Sequence, residues 1–325
     1  MLSNITVVVL RGGPSGEHDV SLQTGATVLQ SLQKTAHDSN RRIVDVFIDK
    51  NQQWYVRGVP VSPERALNNV DVVWNALHGE YGEDGSVQEL LTRIGVPYTG
   101  STTYASKLGM NKMLSKETAH NLGIKTPYAQ VLKVSPDLHA EIISLFRSFP
   151  QPSVIKPFIG GSSVGVTYAC SFADFERGIK NAFQHSPRVI IEEYIPGKEA
   201  TVGAVDRLRG DGLYVLPPTE IKMGAEGIFD YEKKYKEIVE EMCPGNFSLS
   251  ERDQLSDHTK KIHEALGLRH YSRSDFRVSP KGVYFIETNT LPGLTETSLL
   301  PKGLRAVGVT VDEFIEHVLS LALKK

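Results

Sequence analysis

Short apolar runs rich in β-branched residues alternate with longer amphipathic stretches along most of the chain, and this alternation predicts an α/β fold. The continuous apolar run at 5–10 is typical of a strand buried on both faces of a parallel sheet. A helix is expected to begin near Glu17, because the positions that follow form one stripe: Val20, Thr24, Val28, Leu29 and Leu32. Further strands are predicted at 43–48 and 70–76. The chain therefore opens with a doubly wound domain over roughly residues 1–100.

The middle of the chain has a different order of elements. A helix is predicted at 104–122, because its pattern stops at Gly123 and a proline follows shortly after. Strands are predicted at 128–133, 153–157 and 188–194. Helices at 138–146 and after Ser171 separate these strands. The turn at 195–197 is the next expected boundary.

The last third combines several strands with two helical regions. Strands are predicted at 199–205, 213–216, 271–278 and 283–289. A helix is expected at 250–266 and another at the C-terminus, where Thr310 and Glu313 have the spacing of a capping box. The segment 223–247, rich in Gly, Lys and Tyr, is predicted to be a loop.

Composition and charge exclude several classes of protein. The 325 residues carry 36 Lys and Arg against 38 Asp and Glu, so the chain has no electrostatic footprint for non-specific nucleic-acid binding. Hydrophobic residues (40%) and charged residues (23%) have ordinary globular proportions, which argues against a disordered or fibrous protein. No apolar run approaches a membrane span, and Cys170 and Cys243 form no metal or disulfide spacing. We expect a multi-domain cytoplasmic protein that binds neither nucleic acid nor membranes.

The densest chemical signal lies in two neighbouring predicted strands near the C-terminus. If residues 280–282 form a three-residue hairpin loop, Asp275 faces Glu287, Arg273 faces Asn289, and these four side chains share one face. The other face then carries Phe276, Val278, Tyr284 and Ile286. Two opposed carboxylates beside an amide oxygen would repel each other without a cation, and an all-oxygen set favours Mg²⁺ or Mn²⁺. The alternative is a solvated sheet face whose carboxylates pair with Lys and Arg neighbours.

Two further segments have features of a nucleotide site. Lys156 ends a predicted strand and is followed by the small-residue loop 160–165, whose backbone amides could cradle phosphate, although such a loop is also typical of a hairpin turn. Glu192 and Glu199 flank the apolar pair at 194–195, which could hold an adenine ring while the carboxylates reach its polar groups. The alternative for this segment is an ordinary strand with acidic surface residues.

The loop at 78–85 joins a histidine, three glycines and several acidic residues directly after a predicted strand. Ligands of an open α/β sheet gather beyond the carboxyl ends of its strands, where this loop and the loop at 12–17 would both lie. A lone histidine in a loop is usually structural, but this setting favours a functional site around His78.

Taken together, these segments resemble the D-alanine–D-alanine ligase family of the ATP-grasp superfamily. The matching stretches are GGPSGEHDVS at 12–21, the loop at 78–85, PYTG at 97–100, Lys156-Pro157 with 161–165, FDYEKKY at 229–235, ETNTLPGLT at 287–295 and SLLP at 298–301. They follow the family's order along nearly the whole chain. Each match alone is weak, but the ordered set is specific.

The resemblance implies a Rossmann-like N-terminal domain (1–103), a central ATP-grasp subdomain (104–196) and a C-terminal ATP-grasp domain with a metal site and lid loop (197–325). It implies the ATP-dependent joining of two D-alanines through a D-alanyl phosphate, for peptidoglycan synthesis. ATP and two Mg²⁺ ions are the implied cofactors, with Mn²⁺ as a possible substitute. A homodimer is the implied assembly.

The resemblance also assigns roles to individual positions. Nucleotide contacts are expected from Lys112, Lys156, Glu192, Glu193, Tyr194, Ile195, Glu199 and Lys234. Metal ligands are expected at Asp275, Glu287 and Asn289. A hydrogen-bonded triad that orients substrate and closes the loop is expected from Glu17, Ser162 and Tyr235. The positions around the two D-alanines are His78, Arg273, Gly293, Ser298 and Leu299. Arg273 and the Gly293 amide are the expected oxyanion donors, and the loop 223–247 is the candidate lid that excludes water.

Some positions depart from the family's usual pattern. Asn111 stands where Asp is common before Lys112, and Glu89 stands where a small residue is usual. Apolar residues beside the metal positions are replaced by Ser274, Arg277 and Thr288. If Arg277 pointed along the metal face, its charge would weaken cation affinity. These departures bear on strict D-alanine preference more than on ligase chemistry.

Two alternative functions stay open at this point. One is a related carboxylate–amine or depsipeptide ligase with a different second substrate. The other is a nucleotide-binding regulatory protein that has lost catalysis, which would require broken metal positions.

Overall fold

The computed structural model of the protein describes residues 3–159, 164–222 and 240–324, apart from the side chains of 36–39. Within these residues the strands form three sheets that follow one another along the chain, so the predicted α/β class is confirmed. None of the helices in these ranges combines the length and the apolarity needed to cross a membrane.

The first sheet contains the N-terminal strands. These are β1 (Thr6–Gly12), β2 (Arg42–Ile48), β3 (Trp54–Val56), β4 (Val59–Val61) and β5 (Val72–Asn75). Their order is β4-β3-β2-β1-β5, with β1 parallel to both neighbours and β3 and β4 added as an antiparallel edge. The side chains at 7–10 are fully buried, which explains the continuous apolar run of β1. The helices of this region are α1 (His18–Ser39), α2 (Pro63–Ala66) and α3 (Ser86–Ile94).

The second sheet is antiparallel and has the order β6-β9-β7-β8. Its strands are β6 (Ala129–Lys133), β7 (Ser153–Pro157), β8 (Thr167–Ala169) and β9 (Arg188–Glu193). The helices before and between them are α4 (Thr103–Met110), α5 (Lys112–Asn121), α6 (Leu138–Ser148) and α7 (Phe172–Phe183). Phe175 and Ile179 of α7 pack with Ile155 and Ile191 of the sheet in one buried cluster, so the sheet has one covered face.

The third sheet is also antiparallel, with the order β13-β12-β10-β14-β15 and with β11 paired to β10. Its strands are β10 (Lys198–Asp206), β11 (Leu213–Val215), β12 (Thr219–Lys222), β13 (Glu240–Met242), β14 (Tyr271–Ser279) and β15 (Gly282–Asn289). Helix α8 (Leu249–Ala265) covers it through Leu255 and Ile262, which pack with Phe276 and Phe285.

The helix predicted at 104–122 is wrong as a single element, because it breaks into α4 and α5 at Asn111. Asn111 has an extended ψ of 100°, so α4 ends there. Its side chain accepts hydrogen bonds from the amides of Met113 and Leu114, which starts α5 at the next residue. The apolar pattern continues across the break because both helices pack against β15.

The β14–β15 hairpin has the predicted pairing at its functional end but not at its turn. Asp275 faces Glu287 as predicted. The predicted three-residue loop is wrong, since Ser279 pairs with Gly282 across a two-residue turn. A bulge at Ile286 then shifts the register by one, which restores the predicted pairing beyond it.

The residues predicted for the core face of β15 are wrong. Val283 and Phe285 join Phe276 and Val278 in the core, rather than Tyr284 and Ile286. Regular pairing over this stretch puts 285 opposite 276 and 283 opposite 278. Ile286 instead lies on the side that carries Glu287.

The C-terminal helices return to the N-terminal sheet. They are α9 (Leu299–Ala306) and α10 (Val311–Leu323), and α10 begins with the predicted Thr310–Glu313 capping box. Phe314 and Val318 of α10 share a buried cluster with Val9 of β1 and Val28 of α1. The first and last elements of the chain therefore close one core.

Candidate functional site

One cavity of about 250 Å³ lies between the second and third sheets and brings together most of the residues predicted to bind nucleotide and metal. The predicted residues that line it are Lys112, Lys156, Glu192, Glu193, Tyr194, Ile195, Glu199, Arg273, Asp275, Glu287 and Leu299. The acidic segment around 192–199 therefore faces a cavity, which argues against an ordinary strand with surface acids. Residues 160–163 of the small-residue loop lie outside the described residues, while Val164 and Val166 line the cavity.

Lys112 reaches the cavity from the first position of α5. The Asn111 cap accepts hydrogen bonds of 3.2 Å from each of the amides of Met113 and Leu114. Because this cap sets where the helix begins, it places the Lys112 ammonium 3.2 Å from the Glu287 carboxylate. An aspartate would accept the same two hydrogen bonds, so this departure from the family pattern preserves the capping function.

Glu192 is a buried carboxylate held between two lysines. Lys156 Nζ lies 3.1 Å from its Oε2, and Lys116 Nζ lies 3.0 Å from its Oε1. Burial raises the pKa of Glu192, but the two ammonium charges outweigh this effect and hold the pKa below its usual range. Burial lowers the pKa of Lys116 to about 8, so both lysines are charged at pH 7. The Lys156 ammonium lines the cavity, where it can bind a phosphate group. Lys116 is not among the predicted site residues, because nothing in its local sequence distinguishes it from a surface lysine.

Asp275 and Glu287 lie side by side at one wall of the cavity. Arg273 Nε and Nη2 donate to the two oxygens of Asp275 at 3.0 and 2.9 Å, and the Thr201 hydroxyl also donates to Asp275. Burial raises the pKa of Glu287, but the charges of Lys112 and then Lys156 outweigh it and lower the pKa to about 2. Neighbouring cations thus offset the repulsion between the carboxylates, so repulsion alone does not require a metal. These pairs lie in a cavity, not on the solvated sheet face of the alternative.

The donor set fits a divalent cation that is shared with a phosphate ligand. Across the described ranges, no cluster of three or more His, Cys, Asp or Glu side chains could hold a metal by itself. Asp275, Glu287 and Asn289 offer only oxygen donors, and Mg²⁺ usually takes one or two carboxylates together with waters and phosphate oxygens. The Leu291 amide donates to Asn289 Oδ1 at 3.1 Å and orients this side chain. The arrangement suits an ion bound together with a nucleotide.

Arg277 directs its guanidinium to the predicted nucleotide segment. Its Nε donates to the Ile195 carbonyl at 3.1 Å and its Nη2 to the Tyr194 hydroxyl at 3.3 Å, while its Nη1 lies 3.5 Å from Glu199 Oε2. Arg277 lines the cavity together with Asp275, which is the orientation that the sequence analysis considered. Its charge is paired with the carboxylate of Glu199. Arg277 therefore bears on the nucleotide end of the cavity more than on the carboxylate pair.

A second group of predicted residues meets at the loop that follows β5. His78 Nε2 lies 2.9 Å from the Thr24 hydroxyl of α1. A β-carbon added at Gly293 would lie 3.0 Å from Ser298 Oγ and 3.9 Å from Thr24 Oγ1, so these residues are neighbours. Burial lowers the pKa of His78 to about 4, which keeps the imidazole neutral at pH 7. The sequence placed Thr24 only on the buried stripe of the helix.

Glu83 belongs to this group although the sequence analysis did not single it out from the acidic residues of the loop. Its carboxylate accepts hydrogen bonds from the Gly79 amide at 2.8 Å and the Leu291 amide at 3.0 Å, and thereby ties the loop to the segment after β15. Burial and the charge of Glu17 raise the pKa of Glu83 to about 7. Glu17 lies against the same loop, because a β-carbon added at Gly79 would be 2.9 Å from Glu17 Oε2.

The remaining predictions concern the start of α9 and the candidate lid. Ser298 precedes α9, with its hydroxyl 2.7 Å from that of Thr295, and Leu299 opens the helix at the edge of the cavity. Three predicted residues lie outside the described residues: Ser162, Lys234 and Tyr235. Residues 223–239 of the candidate lid also lie outside them, so the role of this loop stays a prediction.

Comparisons with known proteins agree with this geometry. The family models described as "D-ala D-ala ligase N-terminus" and "D-ala D-ala ligase C-terminus" match residues 6–65 with 56–101 and residues 119–320, respectively. A D-alanine–D-alanine ligase of Gloeobacter violaceus is 35% identical over 320 residues, which are 98% of this chain and 99% of that protein. A D-alanine–D-alanine ligase of Aquifex aeolicus is 34% identical over 316 residues, covering 97% and 99%.

Solved structures match over the same length. The D-alanyl-alanine synthetase A of Vibrio cholerae has a TM-score of 0.85 at 26% identity, with 100% of both chains covered. The VanG D-Ala:D-Ser ligase of Enterococcus faecalis has a TM-score of 0.83 at 27% identity, with 98% of this chain and 100% of that chain covered. The predicted ATP-grasp fold is confirmed by these similarities.

Proposed function

Since the chain belongs to the D-alanine–D-alanine ligase family, we propose that it uses ATP to join two D-alanines for peptidoglycan precursor synthesis. The observation that carries this proposal is the cavity in which Asp275 and Glu287 face each other beside Lys112 and Lys156. A carboxylate is a poor acyl donor, so the first D-alanine must become D-alanyl phosphate before the amine of the second attacks. The site therefore has to hold phosphate groups and an acyl carbonyl together.

At the nucleotide end, residues 193–195 and Glu199 would contact the base and ribose, and Lys112 and Lys156 would contact the phosphates. Their common position on one cavity and the ammonium groups that Lys112 and Lys156 present to it support these assignments. Phosphoryl transfer needs little covalent chemistry from the protein, so the lysines would act by positioning the phosphates and offsetting their charge.

Asp275, Glu287 and Asn289 would hold the divalent cations, for which we expect Mg²⁺ and two ions. Such ions neutralise phosphate charge and polarise the transferred group when bound. The lowered pKa of Glu287 keeps its carboxylate ionised throughout the physiological pH range. Arg273 orients the Asp275 carboxylate through two hydrogen bonds.

At the D-alanine end, Arg273 and the Gly293 amide would stabilise the negative charge that develops on the tetrahedral oxygen. Each such donor contributes about 3–4 kcal/mol in other enzymes. Asp275 holds the pKa of Arg273 above its ordinary value although burial lowers it, so the guanidinium stays charged. His78, Ser298 and Leu299 would position the substrates, with neutral His78 acting through hydrogen bonds.

Several proposals concern the larger assembly. Glu17, Ser162 and Tyr235 would form the substrate-orienting triad, and the loop 223–247 with Lys234 would close over the site. We propose domain boundaries near residues 103 and 196, a homodimer and a cytoplasmic location, all of which the family resemblance supports.

The direct test is ADP formation by the purified protein, measured with and without D-alanine in the presence of Mg²⁺. We expect D-alanine-dependent ADP release and a matching amount of D-alanyl-D-alanine by mass spectrometry. Nucleotide binding without D-alanine-dependent ADP formation would instead support the inactive regulatory protein and overturn the proposed activity.

A ligase with a different second substrate is the second candidate, favoured by the full-length similarity to a D-Ala:D-Ser ligase. The same assay with D-alanine paired against D-serine and D-lactate distinguishes the two. A higher kcat/KM for D-serine or D-lactate at the second position would replace D-alanine as the preferred substrate while leaving the ligase chemistry intact.

A further inference from the structure

The hairpin that carries the metal positions depends on one irregular residue. Its turn pairs Ser279 with Gly282, and regular pairing from this turn would place Glu287 opposite Ser274. In that register Glu287 would point to the opposite face from Asp275, because a shift of one residue reverses every side chain. The bulge at Ile286 adds the residue that brings Glu287 opposite Asp275. The shared face of the two carboxylates therefore exists only while this bulge is kept.

Lys116 contacts this bulge from helix α5. Its Nζ donates a hydrogen bond of 2.9 Å to the Ile286 carbonyl, across 170 positions of sequence. The same ammonium lies 3.0 Å from Glu192 Oε1 on β9. The Lys116 side chain is 4% exposed, so both contacts are protected from water. Lys116 thus joins the Ile286 bulge of the third sheet to the Glu192 carboxylate of the second sheet.

Lys116 stands behind the cavity, whose wall is formed by its neighbours Glu192 and Ile286. It is therefore placed to act on the ligands through other residues. The extra residue of a bulge has no partner in the strand ladder, and a buried carbonyl without a donor is costly. A charged donor at this carbonyl stabilises the bulged register over the regular one.

We propose that Lys116 is a positioning residue that maintains the Ile286 bulge and thereby directs Glu287 toward Asp275. The inference rests on the proposed metal site at these two carboxylates. It predicts that Lys116 is needed for metal binding although it touches neither metal nor nucleotide.

The test measures the Mn²⁺ affinity of Lys116→Met, Lys116→Arg and Lys125→Met in the presence of ADP. Electron paramagnetic resonance reports the concentration of free Mn²⁺ in each titration. Lys125 is the matched control, because it also donates to a carbonyl of this hairpin, that of Lys281 at the turn, but is exposed. We expect Lys116→Met to weaken Mn²⁺ binding about tenfold or more, as for other residues that orient ligands. Lys116→Arg should recover most of the affinity, and Lys125→Met should match the wild type.

The outcomes separate this inference from the proposed function. Wild-type Mn²⁺ affinity in folded Lys116→Met protein would overturn the role of Lys116 and leave the metal site standing. Should Lys116→Met fail to fold, Lys116→Gln decides, because its shorter neutral side chain cannot hold both partners, and wild-type affinity there would overturn the role as well. If Glu287→Gln bound Mn²⁺ as tightly as the wild type, the metal site would be overturned and this inference with it.

Discussion

At the scale of single residues, the charge state of each buried group decides what it can do. Glu287 is ionised because two lysines outweigh its burial, while His78 is neutral because burial dominates. The cavity therefore carries a permanent anion that can bind cations, and the second group at the loop after β5 carries an uncharged imidazole for hydrogen bonding. Burial and the charge of Glu17 raise the pKa of Glu83 to about 7, so the protonation of this buried carboxyl changes near neutral pH.

Replacing Glu287 by Gln removes the charge of a proposed metal ligand while keeping its shape. We expect kcat to fall by about 100-fold or more, because the cation loses one of its two carboxylates. Circular dichroism and thermal unfolding should show an intact fold. Asp257→Asn is the matched control, because Asp257 forms an exposed ion pair with Lys261, and its kinetics should equal those of the wild type. Undiminished turnover of Glu287→Gln at saturating Mg²⁺ would remove Glu287 from the site.

His270 makes stability depend on pH in acid. Burial lowers its pKa from 6.5 to about 4, so the unfolded chain binds this proton more tightly than the folded protein. Its contribution to stability is complete above pH 6.5 and is lost as the pH falls toward 4, by about 1.4 kcal/mol per pH unit. His270→Asn should reduce this acid slope in urea unfolding measured from pH 7 to 4. Asn suits the left-handed φ of 69° at this position. Parallel pH profiles for the two proteins would contradict the assignment.

At the scale of elements, a helix start and a bulge place the functional groups. The α4–α5 break brings Lys112 to the cavity, and the Ile286 bulge turns Glu287 to the same side. Both are local departures from regular structure. The positions of Lys112 and Glu287 in the cavity therefore depend on a helix break and a strand bulge as much as on the regular helices and strands.

Asn111→Ala tests the helix start. Loss of the cap should cost about 1 kcal/mol of stability and raise KM for ATP, because Lys112 is the next residue. Asn111→Asp should retain both properties, since its carboxylate accepts the same hydrogen bonds. Ser248→Ala is the control, because the Ser248 side chain caps the N-terminus of α8, which lies away from the cavity. It should lose a similar stability with an unchanged KM, and equal KM effects in the two alanine variants would contradict a local role for Asn111.

At the scale of the whole molecule, the C-terminal helix α10 completes the N-terminal core. Buried Arg41 donates to both oxygens of Glu316 on α10, at 2.6 and 3.0 Å, and the Thr35 hydroxyl donates to the same carboxylate at 3.1 Å. The Arg41 side chain has no exposed surface. This ion pair therefore joins the N-terminal region to the C-terminal helix, with its guanidinium buried.

Glu316→Gln should lower the free energy of unfolding by about 3 kcal/mol, because it removes a carboxylate charge that is paired with a buried guanidinium. Kinetic constants at a permissive temperature should not change, since neither residue lines the cavity. Asp312→Asn is the matched control, because Asp312 of α10 pairs with Lys34 of α1 in an exposed position. Its unfolding free energy should stay within about 0.5 kcal/mol of the wild type. Similar losses in both variants would contradict the importance of burial.

The β14–β15 hairpin shows how much of the site could be predicted from the sequence. Alternation along two neighbouring strands predicted that Asp275 and Glu287 share a face, and this was confirmed. The two-residue turn and the Ile286 bulge were not predicted. Each shifts the β14–β15 pairing by one residue in opposite directions, so the predicted pairing of Asp275 with Glu287 is still correct. A bulge held by a contact from Lys116 has no signature in the strand's own residues.

The sequence by itself determined the α/β class, most strand positions, the carboxylate pair and the family, because periodicity, turn residues and motifs are properties of neighbours along the chain. Only the tertiary structure decided that Glu192 lies between two lysines, that Arg277 binds residues 194–199, and that Glu83 ties two loops together. These contacts join residues far apart in sequence, and the burial that sets their charge arises only when separate sheets and helices pack. Local patterns carry no record of that packing, so charge state and precise orientation follow from the fold alone.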